Sequence, residues 1–275
     1  MTSPGGTVRW VRRFDAINRG LHLAMMMSFM GLAATGLPLY FSEVPWAAWL
    51  SHAVGGFEAA GHLHRFFATV MLTTFAAHVA RLLYKTVVSR ENILWGPSSM
   101  MPQPRDVAEF VAHVRWFVGR GPRPRFEHFT YWEKFDYWAV FWGMAIIGGS
   151  GLVLWFPALF ARVLPGRIFN VALLVHGEEA LLATGFIFLI HFFNGHFRPD
   201  KFPIDIVIFT GAVTEHELRE DRPAEYDRLV AEGRLEVITV PPPTAAMVRY
   251  GRIVGGLALT TGVVLLLLML RAVLW

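Results

Sequence analysis

The chain has no cysteine in its 275 residues. That excludes disulfides, an iron–sulfur cluster held by this chain and covalently attached c-type haem, so histidine or methionine must hold any redox metal. Charge is sparse as well: Asp, Glu, Lys and Arg make up 17% of the residues, against 54% hydrophobic, and mean hydropathy is +0.42. An ordinary soluble domain carries about a quarter charged residues, so this balance fits a polytopic membrane protein. No internal repeat or low-complexity tract is found. The net charge of +4 does not call for nucleic acid, because the arginines gather beside apolar runs, where the charge asymmetry of membranes accounts for them.

What is present is a series of long apolar runs. Residues 1–20 are polar and carry Arg9, Arg12, Arg13 and Arg19; Leu21 to Phe41 is uncharged and long enough to span. It lacks the shorter core and small-residue cleavage site of a signal peptide, so it is expected to be retained as a first transmembrane helix. Further spans are expected over Ala59 to Tyr84, Tyr137 to Phe156, the run ending at Phe197, and Ile253 to Leu270. The expected fold is an all-α membrane protein with a four-helix bundle over residues 21–197 and a fifth helix within 249–275. Between spans, 87–134 carries Val107, Phe110, Val111, Val114, Phe117 and Val118 at the spacing of an amphipathic helix, expected on the membrane surface. Residues 198–248 form a charged extension in which Thr214 and Glu217 read as a capping box, Pro223 as a helix start and Gly233 as a stop. Gly251 and Gly255 offer a G-x-x-x-G packing face. Residues 42–61 contain Glu43 and Glu58 but no Lys or Arg. The positive-inside rule therefore places the N-terminus, 87–134 and 198–248 in the cytoplasm and Trp275 outside.

The run VHGEEALLATGFIFLIHFFNGHF, Val175 to Phe197, carries three histidines through apolar surroundings. Ionisable side chains cost about 2.5–3.5 kcal/mol at bilayer depth and mark function there. His176 and His191 stand 15 residues apart, about 22 Å of rise and about 60° of rotation on an α-helix. His64 and His78 stand 14 apart, about 21 Å and about −40°. Both helices run outside to inside in this topology, so His64 and His176 share an outer level, and His78, His191 and His22 an inner one. Imidazoles matched at two depths suit the irons of two stacked haems. The competing class is a histidine-containing transporter or assembly protein without haem, whose histidines bond to backbone or to one another, or form a metal site or proton relay. A transition-metal site usually takes ligands one turn apart on a helix, and no i, i+4 histidine pair exists. His52, His113, His128 and His216 read as loop or surface residues, and His62 as a neighbour of His64. His196 reads as an interfacial residue, a cofactor contact or a further ligand. Glu178 and Glu179 read either as solvated or as acids one turn inside the helix, available for proton transfer or a salt bridge. The cluster Gly148, Gly149, Ser150 and Gly151 removes bulk where a helix or a flat cofactor approaches.

RRFDAINRGLH through TGLPLYF, HLHRFF, EKFDYWAVFWG, VHGEEALLATGFIFLIHFF and FPIDIVIFTGAV together resemble the cytochrome b (gamma) subunits of membrane-bound formate dehydrogenases. The related cytochrome b subunits of nickel-iron hydrogenases and thiosulfate reductases are similar too. The likeness covers residues 9–235. It implies two haem b groups, ligated by His22 from the first helix, His64 from the second, and His176 and His191 from the fourth. The fourth-helix spacing is 15 where the family more often has 14, and His78 competes with His22 for the inner iron. The family's quinone site adjoins the inner haem near the start of the third helix, where an asparagine is common. Thr130 stands in that position here, followed by Glu133, Lys134 and Asp136. The resemblance further implies menaquinone or ubiquinone, a bacterial or archaeal inner membrane, and an iron–sulfur or multihaem c-type electron-transfer subunit with a catalytic subunit on the outer face. Substrate chemistry would lie in that partner.

Overall fold

The computed structural model describes residues 8–274; Trp275, expected outside the membrane, and residues 1–7 of the N-terminal segment lie outside the described residues. The protein is an all-α membrane protein. Five helices are long and apolar enough to cross a bilayer: Ala16–Tyr40, Phe57–Val87, Tyr131–Trp155, Arg167–Phe197 and Ala245–Leu274. Each begins before the apolar run that marks it in the sequence, because at about 1.5 Å per residue 25–31 residues exceed the ~30 Å hydrocarbon core and leave polar end turns at headgroup depth. The third span starts at Tyr131, six residues earlier than its apolar run. Thr130 caps it: its N–H and hydroxyl donate to Glu133 Oε2, both at 2.8 Å, and Glu133 N–H returns to Thr130 Oγ1 at 3.4 Å. The same box forms where it was expected, between Thr214 and Glu217 at the start of the helix Glu215–Asp221.

The chain divides into two compact units, each assembled from separated stretches. The spanning unit holds Leu21–His78, Ala139–Asp205 and the chain from Ile253 onward. Its core joins Ala33 and Leu37 of the first span, Phe188 and Phe192 of the fourth, and Leu259, Leu265, Leu266 and Met269 of the fifth. Gly262 allows this approach, since a Cβ there would lie 2.8 Å from Phe188. Close packing of the fifth helix in this unit thus includes Gly262, and Gly255 of the G-x-x-x-G pattern is buried in the same unit. Gly251 of that pattern belongs to the other unit, where it faces Phe209.

The polar unit gathers the chain up to Gly20, Val79–Trp138 and Ile206–Arg252, three segments that the sequence presents as unrelated. A small antiparallel sheet of order β2-β1-β3 ties two of them: β1 is Trp10–Arg12, β2 Ala212–Thr214 and β3 Thr239–Val240. Strands of two or three residues are too short to show alternation, which is why no sequence pattern announces them. Val11, 1% exposed, packs with Val213, Leu218, Leu229 and Leu235 beneath the sheet. The helix Pro223–Ala231 begins on its proline, and Gly233 follows it with φ +64°.

Around this core the charges are paired. Arg13 donates to Glu225 Oε2 at 3.0 Å and to the His128 carbonyl; His128 Nδ1 lies 2.7 Å from Arg13 Nη1 and also against Glu225 Oε1. His128 lies in a loop, as read from the sequence, but its half-buried side chain is engaged in this network. Burial lowers its pKa, and the Arg13 charge lowers it further. For Glu225, burial pushes upward, but the His128 hydrogen bond and nearby guanidinium groups outweigh it and hold the carboxyl below its ordinary value. His113, also read as a loop residue, stacks on Phe117 at 4.6 Å and meets the Tyr131 hydroxyl at 3.0 Å. Arg222 donates to Glu133 at 2.8 Å, and Lys134, 1% exposed, donates to both Asp106 oxygens at 2.7 and 2.9 Å.

Glu225→Gln removes the carboxylate that faces Arg13, both side chains being 7% exposed, and should destabilise the protein by about 3–5 kcal/mol. Glu232→Gln, at a pair on the surface, should cost less than about 1 kcal/mol. Thermal melts of the two variants in one detergent check the contrast.

Candidate haem centres

Within the spanning unit the histidines come together in twos. His64 of the second span and His176 of the fourth have ring centres 6.2 Å apart with planes at 80°. His22 of the first and His191 of the fourth have ring centres 6.4 Å apart with planes at 37°. A metal–imidazole bond is about 2.0–2.1 Å and a ring nitrogen lies about 1.1 Å from its ring centre, so imidazoles on opposite sides of one metal have centres about 6.2–6.4 Å apart. Both pairs therefore leave room for one metal ion between two rings. Among the described residues no three His, Asp or Glu side chains gather as a larger metal cluster.

The outer-level rings are also turned correctly. Thr35 Oγ1 donates its one proton to the Gly31 carbonyl at 2.7 Å, so toward His64 Nδ1, 3.1 Å away, it accepts. His176 Nδ1 lies 3.0 Å from the Ile147 carbonyl, which can only accept. Each Nδ1 thus carries the proton, and each Nε2 lone pair is left for a metal. Each ring rests on a glycine of a neighbouring helix: a Cβ at Gly36 would lie 2.9 Å from His64 Cε1, and one at Gly151 would lie 2.9 Å from His176 Cε1. Gly151 belongs to the small-residue cluster seen in the sequence. Gly36, within TGLP, carried no comparable signal.

The fourth span is not α-helical throughout. Phe186–His191 and Phe193–Phe197 are π-helical, and the third span has a π-turn at Met144–Gly148. A π-turn takes up one residue more than an α-turn and recurs at functional sites. One such residue between His176 and His191 makes 15 residues wind as 14 do, and the offset of about 60° becomes about −40°. The fifteenth residue between the two histidines is thus absorbed locally. The π-turn of the third span holds Ile147, whose carbonyl receives His176.

The remaining candidates have other neighbours as well, and His196 stays near both His22 and His191. The His78 ring lies 6.3 Å from Phe141, while His191 lies beside His22. His196 Nδ1 accepts the Asp205 N–H at 3.2 Å, and its ring meets Phe192. Exposed His62 sits 3.9 Å from Glu58. Glu178 accepts from the Tyr40 hydroxyl at 2.9 Å and Glu179 from Trp142 Nε1 at 3.3 Å. Of the groups expected near a quinone, Lys134 and Glu133 are engaged in the ion pairs and cap described above, and half-buried Asp136 follows on the same helix. Glu109 was not singled out in the sequence. It lies on the amphipathic helix Pro104–Phe117, one turn past Asp106, and its buried Oε2 has no hydrogen-bond partner. Burial raises its pKa to about 7, against the pull of Arg105.

Compared with known protein families and with curated proteins, the sequence matches none. The geometry of the two histidine pairs stands as the main guide to function.

Deleting Ile187 should relax the π-turn to an α-turn and leave both histidine pairs in register, whereas inserting one alanine after Ile187 should rotate His191 by about 100° and cost the inner site. Haem content per chain, from reduced-minus-oxidised absorbance, checks both variants.

Proposed function

We propose that this chain is a di-haem b membrane subunit that transfers electrons between the quinone pool and a redox partner on the opposite face, within a respiratory oxidoreductase complex. The observation that carries the reading is the pairing of His64 with His176 and of His22 with His191, each at the separation of two imidazoles on one metal. Orientation supports it, since Thr35 and the Ile147 carbonyl hold the Nδ1 protons of the outer pair. So do the Gly36 and Gly151 backbones, which leave no Cβ beside those rings. Bound haem with two histidine ligands supplies one-electron transfer with no open iron position, which opposes oxygen chemistry. The chain's own part is to bind through four Nε2 atoms, fix ring orientation and keep water out with apolar walls. Among the histidines of the inner level, the reading takes His22 as the partner of His191, with His78 as the alternative ligand.

A quinone exchanging two electrons also exchanges two protons, so its site needs titratable groups with a route to water. In this reading exchange occurs at the cytoplasmic end of the bundle, where Glu133, Lys134 and Asp136 open the third span. With Lys134 and Glu133 held in ion pairs, Glu109 is the group suited to hand protons over near neutral pH. The arginines of the polar unit support a cytoplasmic location for it, which puts the C-terminus outside. Substrate chemistry then belongs to a catalytic partner reached through an iron–sulfur or multihaem c-type subunit, in a bacterial or archaeal inner membrane.

The purified chain should show two b-type haems in a reduced-minus-oxidised spectrum, and His64→Ala or His176→Ala should remove one and spare the other. A colourless protein overturns the reading and favours a transporter or assembly factor without haem. With a soluble quinol, wild-type oxidation should rise through about pH 7 as Glu109 loses its proton, because the carboxylate is the accepting form. In Glu109→Gln that limb should vanish and turnover fall about tenfold or more, within the ordinary contribution of acid–base catalysis.

A further inference from the structure

The polar unit contains a cavity of ≈ 270 Å³ lined by Arg12, Arg19, Thr210, Pro242, Thr244 and Met247, among others. Its charge is unbalanced. The one carboxylate on its wall, Asp15, is already engaged: Oδ2 receives Arg81 at 2.6 Å and Oδ1 receives the Asn18 N–H at 2.8 Å. Among the described residues neither Arg12 nor Arg19 has a carboxylate within ion-pair distance. Arg12 is exposed, and Arg19 donates one Nη2 bond to the Phe209 carbonyl at 2.5 Å while its buried Nε has no partner. Gly211, at φ +78°, forms the floor under Arg19: a Cβ there would lie 2.9 Å from Arg19 Cδ and 2.7 Å from the Phe14 carbonyl. Only glycine lets the guanidinium lie across that turn.

We propose that this cavity binds the phosphate of an acidic phospholipid between Arg12 and Arg19. Two uncompensated guanidinium groups present the donor forks that recognise phosphate oxygens. The depth matches a lipid, because the cavity is walled by Ala16, where the first span begins, and by Met247, two residues into the fifth. Those positions lie at headgroup level. Beside the two threonines, Ala212, Val240, three prolines and Met247 give the wall an apolar part that can take the glycerol and the first acyl carbons, which a free phosphate would leave empty. Basic pockets at the ends of spanning helices are the usual receptors for anionic headgroups.

The test uses the full chain, delipidated in a neutral detergent, with native mass spectrometry against phosphatidylglycerol and phosphatidylcholine of identical acyl chains, and against inorganic phosphate. Phosphatidylglycerol should bind at least about fivefold more tightly than phosphatidylcholine, and Arg12→Gln should remove about fivefold of its affinity, the effect of one arginine near a charged headgroup. Arg19→Gln should do the same, and the double variant should show no headgroup preference. Among the described residues the exposed Arg12 side chain has no hydrogen bond or ion pair whose loss would disturb folding, so its variant keeps the test decisive if Arg19→Gln proves unstable. Equal affinity for the two lipids, or a preference unchanged in Arg12→Gln, overturns the proposal. Inorganic phosphate that binds alone and displaces phosphatidylglycerol identifies a free anion as the occupant of the same arginines and excludes the lipid.

Discussion

An imidazole inside a membrane has two nitrogens to satisfy and no water to do it. That constraint organises the spanning unit. Nδ1 of His64 and of His176 is met by an acceptor on a neighbouring helix, so the second nitrogen of each keeps its lone pair. A half-satisfied pair would be costly in an apolar interior. A metal between the rings would resolve that cost, and the ring separations leave room for one. The glycines at 36 and 151 then follow as a consequence of ring position, because each ring occupies the space a side chain would have taken.

The π-turns belong to the same logic. A regular helix ties angular position to residue count, and two ligands on one helix must agree in both depth and direction. The fourth span departs from α-geometry between His176 and His191, and the third span departs where it lends a carbonyl. Such turns cost regular hydrogen bonding and persist where the surrounding packing holds them. Here Phe188 and Phe192, which flank and include the π segment, are locked against the fifth helix at Gly262. The fifth helix, which contributes no histidine, thus buttresses the helix that contributes two.

The polar unit is held together differently, by buried charge. Arg13, His128 and Glu225 come from three distant stretches, Arg222–Glu133 joins two of them, and Lys134–Asp106 closes the interspan stretch on itself. Buried pairs of this kind add little net stability over an apolar core, yet they are severe on any arrangement that leaves one member alone. They specify one assembly of the N-terminal strand, the interspan loop and the later extension. Lys134 and Glu133 show how this changes a functional reading: charges that look reactive at the start of a span are committed to holding it. Glu109, left with an unpaired buried oxygen, keeps the freedom to titrate.

The sequence by itself determined the membrane class, the five spans and the presence of histidines within them, because apolar run length and ionisable residues at bilayer depth are local signals with large free energies behind them. The caps at Thr214 and Thr130 were equally local; the second went unrecognised only because its glutamate suggested chemistry. Tertiary structure alone decided which histidines face one another. His22 and His78 are indistinguishable as inner-level candidates along the chain, and only helix rotation places the first beside His191 and the second against Phe141. It also decided the union of three polar segments into one unit, the burial of His128 and the cavity at Arg12 and Arg19. Each of these depends on contacts between residues far apart in the chain, and no periodicity or spacing encodes such contacts.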